Sequence, residues 1–67
     1  MINKKYMNYI KKELKKEKSI MIKYLPSEEE KEYLKNFNIK TEIKIIKQKC
    51  LFSDIFYDTE YCIYYLD

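Results

Sequence analysis

Between residues 2 and 18 the lysines and the apolar residues sort onto opposite sides of a helix, and this segregation constrains the fold more than any other feature. At about 100° per residue, Ile2, Tyr6, Met7, Tyr9, Ile10 and Leu14 fall within one half of the helical wheel. Lys4, Lys5, Lys11, Lys12, Lys15, Lys16 and Lys18 fall within the other half. A helix of this kind must lay its apolar side on something, so the rest of the chain has to supply an apolar partner. Its lysine-rich last turn suits the negative end of the helix dipole. Glu13 and Glu17 lie on the apolar side near the C-terminal end, which predicts that this end emerges from the core.

The partner is predicted to be a sheet. Ile20, Ile22 and Tyr24 alternate with Met21, Lys23 and Leu25 before Pro26, the period of two that marks a strand over 20–25. Pro26-Ser27-Glu28-Glu29-Glu30 then reads as a helix start, with Ser27 as cap and Glu30 returning the bond three residues on. This second helix runs to about Phe37 and presents Tyr33, Leu34 and Phe37 to the core. It ends at Asn36 or Asn38, the residues best able to take a left-handed cap in a chain with no glycine. Ile39, Thr41, Ile43 and Ile45 against Lys40, Glu42 and Lys44 give a strand over 39–46, and residues 60–66 give a last strand on aromatic and β-branched content. Residues 47–59 are open to a helical turn capped by Ser53 or a strand extension, and the preferred reading is an apolar loop packed on the body of the domain.

The expected fold is therefore α+β, one small domain over residues 1–67 in the order α-β-α-β-β. It has a three-stranded mixed sheet with both helices on one face. Strands 20–25 and 39–46 flank a helix and are expected to be parallel neighbours, with 60–66 antiparallel to 39–46. That arrangement makes 39–46 central and leaves 20–25 and 60–66 as edges. Tyr61 to Leu66 holds no charge and no proline to discourage pairing, which predicts a homodimer, or a docked partner, along residues 60–66.

The chain has no His, Gly or Trp, and all fourteen of its basic residues are Lys. That removes histidine acid–base chemistry, glycine-rich phosphate cradles and the bidentate arginine fork. Two Cys without His cannot complete a four-ligand zinc site, so no metal, no cofactor and no enzymatic activity are expected. Cys50 and Cys62 are open to two readings, one disulfide or two reduced thiols. The lack of an apolar leader in the first residues favours the thiols and a soluble, cytoplasmic protein. No apolar run is long enough to span a membrane.

Charge is polarised along the chain: residues 1–25 carry a net +6 and residues 26–67 a net −3. The helix lysines, Lys4, Lys11, Lys15 and Lys18 among them, suit nucleic acid or an acidic protein surface, and equally a solvated helix face. A membrane-surface role for the same helix is disfavoured, because its apolar side holds two Glu and is needed for the core. Lys23, Lys40, Glu42 and Lys44 are expected together on the open sheet face with one set of tyrosines. That set is Tyr64 if Tyr61 and Tyr65 point inward, and Tyr61 with Tyr65 in the opposite register. The Glu28, Glu29, Glu30 and Glu32 cluster is read as helix capping. These features point to a small protein-binding regulator or inhibitor. The AT-rich composition is of the kind that phage and viral genomes encode, which suggests a target in a host macromolecular machine. Nucleic-acid binding through the lysine face of the first helix is the alternative.

Overall fold

The computed structural model describes residues 1–67 as two helices and three strands. Helix α1 spans Lys4–Lys16, β1 Ser19–Ile22, α2 Glu28–Lys35, β2 Ile39–Lys49 and β3 Phe56–Leu66. The fold is α+β, and the order of elements is the expected one. α1 begins at Asn3, whose side chain accepts from the Tyr6 N–H, and it buries Met7, Ile10 and Leu14. α2 opens with the full Ser27/Glu30 capping box. Its last turn tightens through bonds from Asn36, Phe37 and Asn38 to the carbonyls three residues back, and Asn38 takes the left-handed conformation at φ 60°.

The sheet departs from expectation in its order, which is β1-β3-β2, antiparallel throughout. β1 and β2 do run in the same direction, as a crossover through α2 requires, but β3 lies between them. The arrangement is a split βαβ rather than a parallel pair. The strand expected at an edge is thus the centre, and the edges are β1 and β2. The cause is in the strands themselves. Tyr61–Leu66 has no charged residue to keep an unpaired edge soluble, whereas β2 carries Lys40, Lys44, Lys47 and Lys49, the residues that protect an edge. Pairing of 62–65 on both sides takes most of residues 60–66 away as the edge expected to meet a second copy or a docked partner, and leaves Glu60 and Tyr61 of that segment with a single partner strand.

A second correction concerns residues 47–59. They are not a loop folded onto the body; Ile39–Lys49 and Phe56–Leu66 continue as one long hairpin closed by residues 50–55. β1 covers β3 only at Cys62–Tyr65. Residues 44–49 and 56–61 therefore project as a two-stranded arm about 20 Å long at ~3.3 Å per residue. The arm accounts for the elongated shape, 43 × 26 × 19 Å, with a radius of gyration of 13.9 Å. A compact chain of this length would have about 11 Å.

Both helices pack on one face of the sheet. The core is Met7, Ile10 and Leu14 from α1, Leu34 from α2, Ile39 from β2, and Cys62 and Tyr64 from β3. Tyr33 is only half-buried against it, and Phe37, which follows the end of α2 at Lys35, is exposed. Cys50 and Cys62 are both free thiols. The register puts one at the arm tip and the other in the core, seven residue positions or about 23 Å apart, far beyond disulfide reach.

One buried carboxylate ties the layers together. Glu30, 2% exposed, accepts from the Asn3 N–H (2.9 Å), the Ser27 N–H (2.9 Å) and the Tyr24 hydroxyl (2.7 Å). The Tyr24 carbonyl in turn accepts from the Tyr64 hydroxyl at 2.6 Å, and the Tyr24 ring stacks on Tyr6 at 4.1 Å. Burial pushes the Glu30 carboxyl up, but the donors from Ser27, Tyr24 and Asn3 outweigh it and hold the group below its ordinary 4.5. The stability this adds is full above about pH 4.5 and is lost as pH falls through the lower folded-state value. Tyr24 acts at the other end of the scale. Its bond to Glu30, with burial second, pushes it from 10.0 up to about 12, so its contribution holds below pH 10 and fades as pH rises towards 12. Glu30→Gln, which sets an amide donor against converging donors, is expected to cost about 2–3 kcal/mol in urea unfolding at pH 7. The wild type should lose that advantage progressively below pH 4.5, leaving the two unfolding midpoints closer together in acid.

Candidate functional site: the open sheet face and the hairpin arm

In antiparallel pairs directly opposite residues share a face, so the register sorts every side chain of the sheet. Cys62, Tyr64, Ile20, Ile22 and Ile39 lie on the helix side. Tyr57, Thr59, Tyr61, Ile63 and Tyr65 of β3 lie on the open side, with Met21 of β1 and Lys40, Glu42, Lys44, Ile46 and Gln48 of β2. The Lys23 ammonium sits 5.8 Å from the centre of the Tyr61 ring, which puts it on the open side too.

Five of the residues expected at a binding face are thus brought together: Lys23, Lys40, Lys44, Tyr61 and Tyr65. They form a half-buried tyrosine and isoleucine stripe along β3 with lysines on both flanks. Lys40 is partly neutralised by Asp67 at 3.1 Å. Tyr64 does not belong to this face. It is fully buried on the helix side, where burial above all raises its hydroxyl pKa and its hydrogen bond goes to the Tyr24 carbonyl.

The helix lysines form no single surface with these residues. Lys4 and Lys15 are exposed on α1, across the sheet from the open face, and Lys18 is exposed in the connector between α1 and β1, where its carbonyl accepts from the Leu66 N–H. Lys11 is engaged internally: its ammonium donates to the Tyr33 hydroxyl at 2.7 Å and lies 4.4 Å from the centre of the Phe37 ring. That contact joins α1 to α2 and takes Lys11 out of the free basic face.

The arm was not foreseen as a site. Its tip, residues 50–55, displays Leu51 at 92% and Phe52 at 95% exposure, with Ile55 and Phe56 also open. Behind the tip, Ile43 and Ile45 on one face and Tyr57 on the other lie beyond the cover of the helices. Short-range bonds hold the tip in shape. The Cys50 N–H donates to the Ile55 carbonyl at 2.9 Å, the Ser53 hydroxyl accepts from the Ile55 N–H, and Lys49 meets Asp54 at 3.2 Å. Gln48 braces the shaft, accepting from the Thr59 hydroxyl at 3.1 Å. The signal for this site was present in the run Leu51, Phe52, Ile55, Phe56, Tyr57, which is more apolar than an ordinary surface loop.

Two clefts flank α1. One of about 530 Å³ lies between α1 and the end of β1, lined by Lys5, Tyr6, Tyr9, Ile22, Lys23 and Tyr24. The other, about 560 Å³, lies beside Leu14 and Phe37 with Lys11 and Lys15 at its rim. No group of three His, Cys, Asp or Glu side chains is placed to hold a metal ion, and no helix is long and apolar enough to cross a membrane.

The two thiols report on the arm tip and on the core. Backbone N–H groups, that of Phe52 first, and the Ser53 side chain hold the Cys50 thiol below its ordinary value, whereas burial pushes Cys62 up. At pH 7.5 iodoacetamide is expected to add a single label, at Cys50, to the native protein, and a second at Cys62 only in denaturant. Intact and peptide mass spectrometry read both.

Comparison with protein-family models, with curated proteins and with solved structures finds no significant match to this chain.

Proposed function

We propose that this chain is a non-enzymatic protein-binding regulator, an inhibitor type of domain that acts by seating its β2–β3 arm and the adjoining open sheet face on a larger protein. The observation that carries this reading is the distribution of apolar surface. Fourteen large hydrophobic side chains are exposed against seven buried, and seven of the fourteen lie between Ile43 and Tyr57. Scattered apolar residues on a surface need no explanation, but a concentration on one projecting element is the mark of an interaction site. The composition also fits. Aromatic and aliphatic residues at the tip, a charged surround and tyrosines on the adjoining face resemble an interface core and rim.

A second reading, nucleic-acid binding, is favoured by one feature, the lysines flanking Tyr61 and Tyr65 on an open sheet. Tyrosines so placed can stack unpaired bases while lysines meet phosphate. The first-helix version is weakened by the engagement of Lys11 with Tyr33 and Phe37. With no arginine, either version would discriminate poorly among sequences.

Two variants separate the readings. Leu51→Ser with Phe52→Ser alters side chains that touch little else, so the fold should survive. Under the protein-binding reading it should weaken capture of a stoichiometric protein partner by ~10²-fold or more, the effect of removing two hot-spot side chains. Lys23→Glu with Lys40→Glu and Lys44→Glu, changes at the rim of that surface, should weaken the same capture much less than the tip variant does. A mobility shift of single-stranded nucleic acid at ~50 mM salt, steeply salt-dependent and lost only in the lysine variant, would replace this reading with the second.

A further inference from the structure

β3 has a free side along the arm, and its hydrogen-bonding direction there can be read from its other end. The Leu66 N–H donates to the Lys18 carbonyl, on the β1 side, while the Asp67 N–H donates to Asn38, on the β2 side. Successive residues of a strand point their backbone groups to alternate sides. Phe56, Asp58 and Glu60 therefore turn their N–H and C=O groups towards the line of β1, where β1 has already ended at Ile22. β1 cannot grow to fill the gap, because its next residues leave the sheet and Tyr24 is held by Glu30 and Tyr64. No strand pairs with residues 56–60 on this side.

We infer that this position is a docking site for an extended basic segment of a partner protein, added antiparallel to β3 in line with β1. The inference rests on the protein-binding reading above and gives it a mode, strand addition at a sheet edge. Charge decides the occupant. Asp58 and Glu60 are exposed, form no salt bridge although Lys47 of β2 stands opposite Asp58, and are the only charged side chains of β3 along this edge. Residues of an added strand directly opposite them share their face and sit two apart, so lysine or arginine at alternate positions meets both acids. The residue between those two lies with Thr59 on the open face, next to Tyr57 and Tyr61, where an apolar side chain adds to the stripe. The outer edge of β2 is unpaired as well, but β2 carries four lysines against the single Glu42, and Lys44 and Lys47 have no acid in salt-bridge contact, so it repels such a segment and blunts strand addition. A segment of five or six residues fills the gap, and it turns an arm of two strands, a marginal structure, into a sheet of three.

The register makes the test specific. Residues opposite Asp58 and Glu60 form the close hydrogen-bonded pairs, so the basic residues of the segment donate and accept there and the apolar ones do not. The probe is an acetylated, amidated peptide of alternating Lys and Val, seven residues long, added to the full chain and followed by amide hydrogen exchange. In the free protein the Asp58 and Glu60 amides should exchange faster than those of Thr59 and Tyr61. The peptide should slow Asp58 and Glu60 by at least ~10-fold. N-methylation at the lysines should abolish the effect, and N-methylation at the valines should not. Asp58→Lys with Glu60→Lys, both at exposed positions, should abolish it as well.

Equal binding by both methylated peptides, binding that survives the double lysine variant, or protection at Ile43 and Ile45 on the outer edge of β2 would each overturn the inference. Protection of Asp58 and Glu60 that grows with protein concentration to ~100 µM without peptide would overturn it in favour of a second copy of this chain. A peptide without effect, beside partner capture that still depends on Leu51 and Phe52, would overturn strand addition and leave the protein-binding reading standing. Loss of both would remove both.

Discussion

The Glu30 carboxylate is the interaction on which the rest of this structure depends. A charge taken out of water is costly unless its lone pairs are met, and three donors from three different places meet them. Asn3 brings the start of α1, Ser27 the start of α2, and Tyr24 the segment that follows β1. Through the Tyr24 carbonyl the same network reaches Tyr64 at the centre of the sheet. Seven buried apolar side chains are few to hold two helices and three strands in a single arrangement. A directional network at one end of that core fixes the relative placement of helices that hydrophobic contact alone would leave loosely specified.

The same network explains why the arm is bare. Tyr24 is held against Glu30 and stacked on Tyr6, so the chain must leave the sheet after Ile22 instead of running on beside β3. β1 is held to four residues, and everything on β3 before Cys62 is left with one partner strand. The helix layer, anchored at the same place, covers the body end of the sheet and stops short of Ile43 and Ile45. A fixed contact at one end of the molecule thus leads, through strand length, to an exposed apolar surface at the other.

An exposed arm of this kind lowers solubility and adds little to the stability of the monomer, since Leu51 and Phe52 bury almost nothing. Its local order, with the Lys49–Asp54 pair, the Ser53 turn and the Gln48–Thr59 brace, is what a surface needs if it is to bind without first paying for its own ordering. The lysines of α1 and β2 keep the remaining surface strongly charged and offset that apolar load.

Much of the local structure was legible in the residues. The α1 stripe of Met7, Ile10 and Leu14, the Ser27/Glu30 box and the left-handed Asn38 all follow from periodicity and side-chain chemistry within a few positions, which sequence records directly. The gathering of Lys23, Lys40 and Lys44 on one open face followed from the same alternation. The face on which Tyr64 lies did not, because a run of Tyr, Cys, Ile, Tyr, Tyr is apolar on both sides, and only pairing with Ile20 and Thr41 assigns one side to the core. Strand order was decided by tertiary structure for a related reason: the period of two says that a segment pairs but not with what. The uncharged β3 took the centre because both of its sides could then be paired, and the lysine-bearing β2 tolerated the edge. Glu30 shows the division within one residue. Its place in the capping box is local and was readable at a spacing of three, while its bonds to Asn3 and Tyr24 exist only because folding brings segments 27 and 6 residues distant to one carboxylate.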